Sequence, residues 1–217
     1  MSRMRGDREE ERDTRFYGVV VGVVTNIDDP QAVGRVRVSF PWLSDEDESH
    51  WARVTQVMAG SDRGAWIIPE VGDEVLCAFE HGDIRHPYVI GSLYNGQDGP
   101  PSENGHSSEN NLRMFKSKSG HILKFDDTSG SEEIKIIAKD ERSTVTIKAD
   151  GNIEIECDNA KITATQDLDL EGMNVNIKAN SQLKFEGATG VEIKSSAMGK
   201  VEASGILELK GSLVNIN

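Results

Sequence analysis

The chain has 217 residues, a formal net charge of −13 and 36% hydrophobic residues, enough apolar content for one or two modest domains. The acidic balance argues against a nucleic-acid partner, whose phosphates need a basic patch, and no apolar run approaches the ~20 residues of a membrane span. Cys77 and Cys157 stand far apart in sequence, which suits a reducing compartment and gives them no metal or redox role.

Residues 1–15 carry five Arg and five acids with almost nothing apolar. That composition predicts a charged tail, disordered or ordered by a partner, and it lacks the apolar stretch of a signal peptide. From Phe16 the pattern becomes strand. Phe16 to Val24 is a long β-rich run, closed by the turn signal Asn26-Ile27-Asp28-Asp29-Pro30. Arg35 to Phe40 alternates in and out, as does Trp51 to Val57, and Glu74 to Glu80 with Pro87 to Gly91 completes the set. Five strands within about 80 residues, joined by Gly- and Asp-rich turns, predict a small closed barrel of the OB type over residues 16–95. Gly18 and Gly22 would let the first strand bend and serve both sides of the barrel. Residues 96–114 are a polar Gly/Pro/Ser/Asn linker, too short to hold an enzyme.

The remainder, 115–217, begins with a hairpin and then repeats one short unit. Two apolar residues flank one polar residue at Val145-Thr146-Ile147, Ile153-Glu154-Ile155, Leu168-Asp169-Leu170, Val175-Asn176-Ile177, Leu183-Lys184-Phe185, Val191-Glu192-Ile193, Leu207-Glu208-Leu209 and Val214-Asn215-Ile216. The units at 175, 183, 191 and 207 share an eight-residue grid. Strict alternation marks a strand with one buried face. Eight residues with one or two inward side chains cannot close a core, and single-chain solenoids spend about 20 or more residues per stacked unit. The simplest burial has three copies sharing each circuit as a triangular prism, with Val175, Ile177, Leu183, Phe185, Val191, Ile193, Leu207 and Leu209 as its core. A single-chain left-handed β-helix is the competing solution, but its faces come from hexads. The expected fold is therefore all-β: an N-terminal OB-fold barrel, then a C-terminal intertwined triple-stranded β-helix, a homotrimeric needle. Counted from Ile134, about ten octads at ~4.8 Å per strand give a rod of roughly 50 Å.

Several clusters offer chemistry and each has a plainer reading. Asp45-Glu46-Asp47-Glu48 lacks the Gly and the alternating spacing of a calcium loop. His81, Asp83 and His86 crowd one turn and contain metal-ligand types, but a structural hairpin explains them. Ser119, His121 and Asp126 lie on a predicted hairpin without a nucleophile elbow. Trp42, Trp51 and Trp66 fit packing better than base stacking, given the charge. The sequence thus predicts no enzyme, no catalytic residue, no metal and no cofactor.

Three motifs carry a family resemblance. They are Pro69-Glu70-Val71-Gly72-Asp73-Glu74-Val75 running on through His81-Gly82-Asp83 to His86-Pro87-Tyr88-Val89-Ile90-Gly91, then Ser119-Gly120-His121-Ile122-Leu123, then Leu209-Lys210-Gly211-Ser212-Leu213. In that order they resemble the spike proteins of contractile injection machines: phage baseplate assembly protein V and the valine-glycine-repeat spike of type VI secretion. The resemblance implies a homotrimer of OB domain and needle that transmits sheath contraction to pierce a target envelope, touching the membrane transiently. The chain would be made in the cytoplasm and assembled into the baseplate of a tail or injection particle. Only 15 residues precede the barrel, which implies a separate hub protein at the OB end. The chain lacks a His-x-His apex after His121, so the partly apolar end of Leu213, Val214, Asn215, Ile216 and Asn217 implies a capping tip protein of the PAAR-repeat type. The alternative is a β-solenoid module that binds or depolymerises polysaccharide, which would need a groove of paired carboxylates and aromatics.

Overall fold

The computed structural model describes residues 15–43 and 48–216. The charged tail through residue 14, the acids Asp45, Glu46 and Asp47, and Asn217 lie outside the described residues. By its internal contacts the chain divides into two units, Met1–Ala160 and Lys161–Asn217.

The first unit opens with a closed barrel. Its strands are β1 (Val19–Asn26), β2 (Arg35–Ser39), β3 (Ala52–Val54), β6 (Glu74–Phe79) and β7 (Pro87–Ser92), joined in the order β1-β2-β3-β7-β6. Only β3 and β7 run parallel; the other barrel pairs are antiparallel. The length of β1 has the use that the sequence foresees. Its first half, from Val19 to Val23, pairs with β6, and its second half, from Val23 to Asn26, pairs with β2. Gly22 sits where these two pairings meet. A Cβ there would stand 2.3 Å from Val38 Cγ1 and 2.9 Å from the Ser39 carbonyl oxygen, so the approach of β2 admits only glycine.

Alternation builds the core. Inward residues of β2 (Val36, Val38) and of β6 (Val75, Cys77, Phe79) are buried with Val24, Phe40, Ala52 and Val89. Phe40 meets Phe79 edge-on at 5.4 Å, and Phe16 meets Trp42 edge-on at 5.0 Å, which closes one end of the barrel with aromatic rings. Burial pushes the Cys77 thiol up to about 12, because a thiolate has no favourable surroundings there. Two short strands, β4 (Ala59–Gly60) and β5 (Arg63–Gly64), form a separate hairpin between β3 and β6. The sequence gives them little signal, since Gly60, Gly64 and the flanking polar residues break any alternation.

A five-stranded antiparallel sheet follows. It consists of β8 (Leu112–Lys116), β9 (Ile122–Asp126), β10 (Glu133–Ile137), β11 (Thr144–Lys148) and β12 (Ile153–Glu156), each strand pairing with the next in sequence. The dyads at Val145 and Ile153, which repeat the octad pattern in sequence, are thus β11 and β12 of a meander. Local turn chemistry sets this outcome. Asp150 Oδ1 accepts from the Asn152 amide at 3.1 Å and Gly151 takes φ +89°, so Asp150-Gly151-Asn152 reverses the chain in a tight hairpin.

The second unit behaves differently. Among its described residues, 161–216, every residue is exposed and none lies in a strand or helix. Among those residues no backbone–backbone hydrogen bond forms either.

Candidate interaction surfaces

The cross-strand register sorts the sheet into two faces. One row across it is Phe115, Leu123, Ile136, Val145, Ile155, and the next is Arg113, Phe125, Ile134, Ile147, Ile153. One charge among ten residues makes this an apolar face. It is nevertheless open: Phe115 is 66% exposed, Ile136 56% and Ile155 68%. The opposite face is polar and better covered. There Lys135 Nζ lies 2.6 Å from Glu133, Lys124 Nζ lies 3.3 Å from Asp126 and 3.8 Å from Glu133, and Thr146 is buried. In the single chain the apolar face thus lies open while the polar face is the better covered, the reverse of a sheet that stands alone in water.

A cleft of about 1150 Å³ runs between this face and the barrel's Ile27, Trp66, Ile67 and Ile68. Trp66 is 70% exposed along it. The other two tryptophans also avoid the core. Trp42 caps the aromatic end of the barrel, and Trp51 lies beneath the guanidinium groups of Arg35 and Arg37, 5.8 and 5.0 Å from its ring centre. Arg53 stacks on Tyr88 at 4.5 Å, on the same outer wall.

Of the residues singled out for chemistry, Asp83, Ser119, His121 and Asp126 are engaged in local contacts. Arg85 donates to both Asp83 oxygens, from Nη2 at 2.6 Å and Nε at 2.9 Å, and holds that carboxyl well below the usual carboxylate range. His121 Nδ1 accepts from the Lys139 amide at 3.3 Å, Ser119 Oγ lies 3.4 Å from Ser117 Oγ, and Asp126 faces Lys124 and Thr128. These three side chains therefore do not converge on one another. Among the described residues no group of three or more His, Cys, Asp or Glu side chains is placed to hold a metal ion. No helix among them is long and apolar enough to cross a membrane.

In the second unit, the residues expected to form the needle core are all open to solvent in the single chain. Val175, Ile177, Leu183, Phe185, Val191, Ile193, Leu207 and Leu209 are between 51% and 89% exposed. Leu213, Val214, Asn215 and Ile216 of the expected tip surface are exposed too, and Asn217 lies outside the described residues. The structure adds what sequence reading missed: the apolar face of the sheet, legible only once the strand register is known, and the Trp66 wall of the cleft.

Comparison with known proteins places this architecture. Residues 20–94 match the family described as the type VI secretion system/phage-baseplate injector OB domain. The type VI secretion system spike protein VgrG3 of Vibrio cholerae is 37% identical over 113 residues, which is 49% of this chain and 11% of that protein. The spike protein VgrG1b of Pseudomonas aeruginosa is 33% identical over 131 residues, 58% of this chain and 17% of that protein. The actin cross-linking toxin VgrG1 of Vibrio cholerae is 28% identical over 216 residues, 85% of this chain and 20% of that protein. The chain thus corresponds to a fifth or less of the length of these relatives.

Proposed function

We propose that this chain, which belongs to the VgrG-like spike family, is the central spike of the baseplate of a contractile tail or injection system. Three copies wind together, the apolar dyads of 161–216 fill a shared prism, and the rod carries the force of sheath contraction to the target envelope. The chain does this as a mechanical part and not as an enzyme. A hub protein engages the OB end, and a tip protein of the PAAR type docks on Leu213, Val214, Asn215, Ile216 and Asn217.

One observation carries the reading. Residues 161–216 expose their apolar dyads and, among the described residues, pair no backbone group with another. Ordered backbone polar groups in a core require partners, and apolar side chains at every eighth residue require cover. Further copies of the same segment supply both at once: parallel strands provide the hydrogen bonds, and a threefold axis collects the dyads. The open apolar face of β8 to β12 supports the same assembly, since three such faces around one axis would cover each other. The actin cross-linking toxin VgrG1 extends far beyond the region matched here, which covers 20% of it.

The experiment is made on the particle. Contractile particles should show this chain on the baseplate axis by tag labelling, and particles from cells lacking it should lose target killing. Particles that assemble, contract and kill normally without the chain would contradict the assignment.

A further inference from the structure

Each octad of the second unit has two outward positions, on either side of its second apolar residue. In the four octads from 183 to 210 the occupants are Lys184 and Glu186, then Glu192 and Lys194, then Lys200 and Glu202, then Glu208 and Lys210, whereas the two octads before them have Asp169 with Glu171 and Asn176 with Lys178. Among the four, the order of the signs inverts at every step of eight residues. The second column carries the alternation further back, through Lys178 to Glu171. Within the rows the charges pair along the chain: Glu192 with Lys194 and Glu208 with Lys210 at 2.6 Å, and likewise Lys184 with Glu186 and Lys200 with Glu202. Such exposed pairs contribute little singly. They also do not need the inversion, because four rows all ordered Lys then Glu would pair within themselves equally well. The inversion matters only where one row lies beside the next.

The trimeric reading above, on which this inference rests, fixes those neighbours. Three chains related by rotation stand at equal heights, and each octad climbs one strand spacing while turning onto the next prism face. On any face, the strand beside an octad is therefore the following octad of a different chain, parallel and about 4.8 Å away. We propose that the outward charges form an interchain checkerboard that sets the axial register of the three chains. Lys184 of one copy lies beside Glu192 of the next, Glu192 beside Lys200, and Lys200 beside Glu208. The second column does the same from Glu171 to Lys210, and no like charges meet.

The apolar dyads cannot make this choice. Every octad offers nearly the same pair, so a chain that slides along its path by one octad still fills the core. The slide does, however, bring Lys beside Lys and Glu beside Glu in both columns, and like charges directly opposite are unfavourable. Folding the octads back as hairpins carries the same like-charge cost, since Lys184 would face Lys194. The antiparallel pair β9–β10 shows that case within this chain. There Lys124 stands opposite Lys135 and Asp126 opposite Glu133, and compensation comes from pairs along each strand and from Lys124 with Glu133 across them.

The test swaps one row in the full-length chain, Glu192→Lys together with Lys194→Glu. Composition, net charge and the pair within the row are unchanged, while the contacts to the rows on both sides turn from opposite to like. A second variant swaps all four rows from 184 to 210, which restores the alternation except against Lys178. The single-row swap should speed trimer dissociation in detergent on the order of tenfold. The gap should narrow at about 1 M salt, where the screening length is ~3 Å, and the four-row swap should recover most of the loss. A trimer that dissociates at the parent rate with one row swapped overturns the checkerboard, as does a four-row swap no better than the single one. An unmodified chain that remains a monomer rejects the trimeric reading itself.

Discussion

Asp29 shows how much one side chain can organise. Its carboxylate is almost enclosed, with 3% of the side chain exposed. It accepts from the amides of Gln31, Val33 and Arg35 and from the Arg35 guanidinium, Nη2 at 2.6 Å. The Arg35 contact leads the causes that hold its carboxyl well below the usual carboxylate range. The sign follows from linkage: the unfolded chain takes up this proton near pH 4, the folded chain only at lower pH. The stabilisation is therefore complete above about pH 4 and is lost as pH falls towards the folded value. Asp29→Asn should lower the thermal midpoint at pH 7, and the deficit should shrink by pH 3 when both are followed by circular dichroism. Gly22→Ala tests the other tight point. The added Cβ meets Val38 and the Ser39 carbonyl, an overpacking that costs about 1–3 kcal/mol and should appear as a lower midpoint at every pH. The turn around Asn26 to Pro30 was legible in the sequence. The role of Asp29 within it was not, because its partners lie up to six residues on and are brought round only by the loop.

At the scale of elements, the barrel strands were legible because in-out alternation and turn residues coincide in them. The sheet β8 to β12 was less so. Val145-Thr146-Ile147 and Val175-Asn176-Ile177 have the same pattern, yet the first sits in an antiparallel strand and the second in an exposed segment without strand pairing. What separates them is the connection. Asp150-Gly151-Asn152 makes a tight reversal, a signal present in the sequence but outweighed by the repeat count. The prism core can be tested at one position. Ile193→Asp places three carboxylates around one axis, which is prohibitive without partners, and should abolish a detergent-resistant band on an unheated gel. Ile193→Val keeps the shape and should preserve the band. A band that survives Ile193→Asp would mean that Ile193 does not face the core.

At the scale of the molecule, the three strands β10 to β12 leave the octad grid, so residues 161–216 supply about seven octads and not ten. At ~4.8 Å per strand the rod should measure roughly 34 Å, a third shorter than a count from Ile134 gives. A single chain winding alone would need three octads for each layer and would be about a third of that length. Interwound chains must also separate through many non-local contacts at once, so unfolding should be slow and limited by its barrier. All of these expectations stand on one premise, that further copies cover what one copy leaves open. The most direct measurement is the mass of the purified full-length protein by light scattering. Three times the chain mass of 23.8 kDa, unchanged on dilution to the micromolar range, is the predicted result. A stable, folded species of 23.8 kDa would contradict the shared needle and the spike built on it.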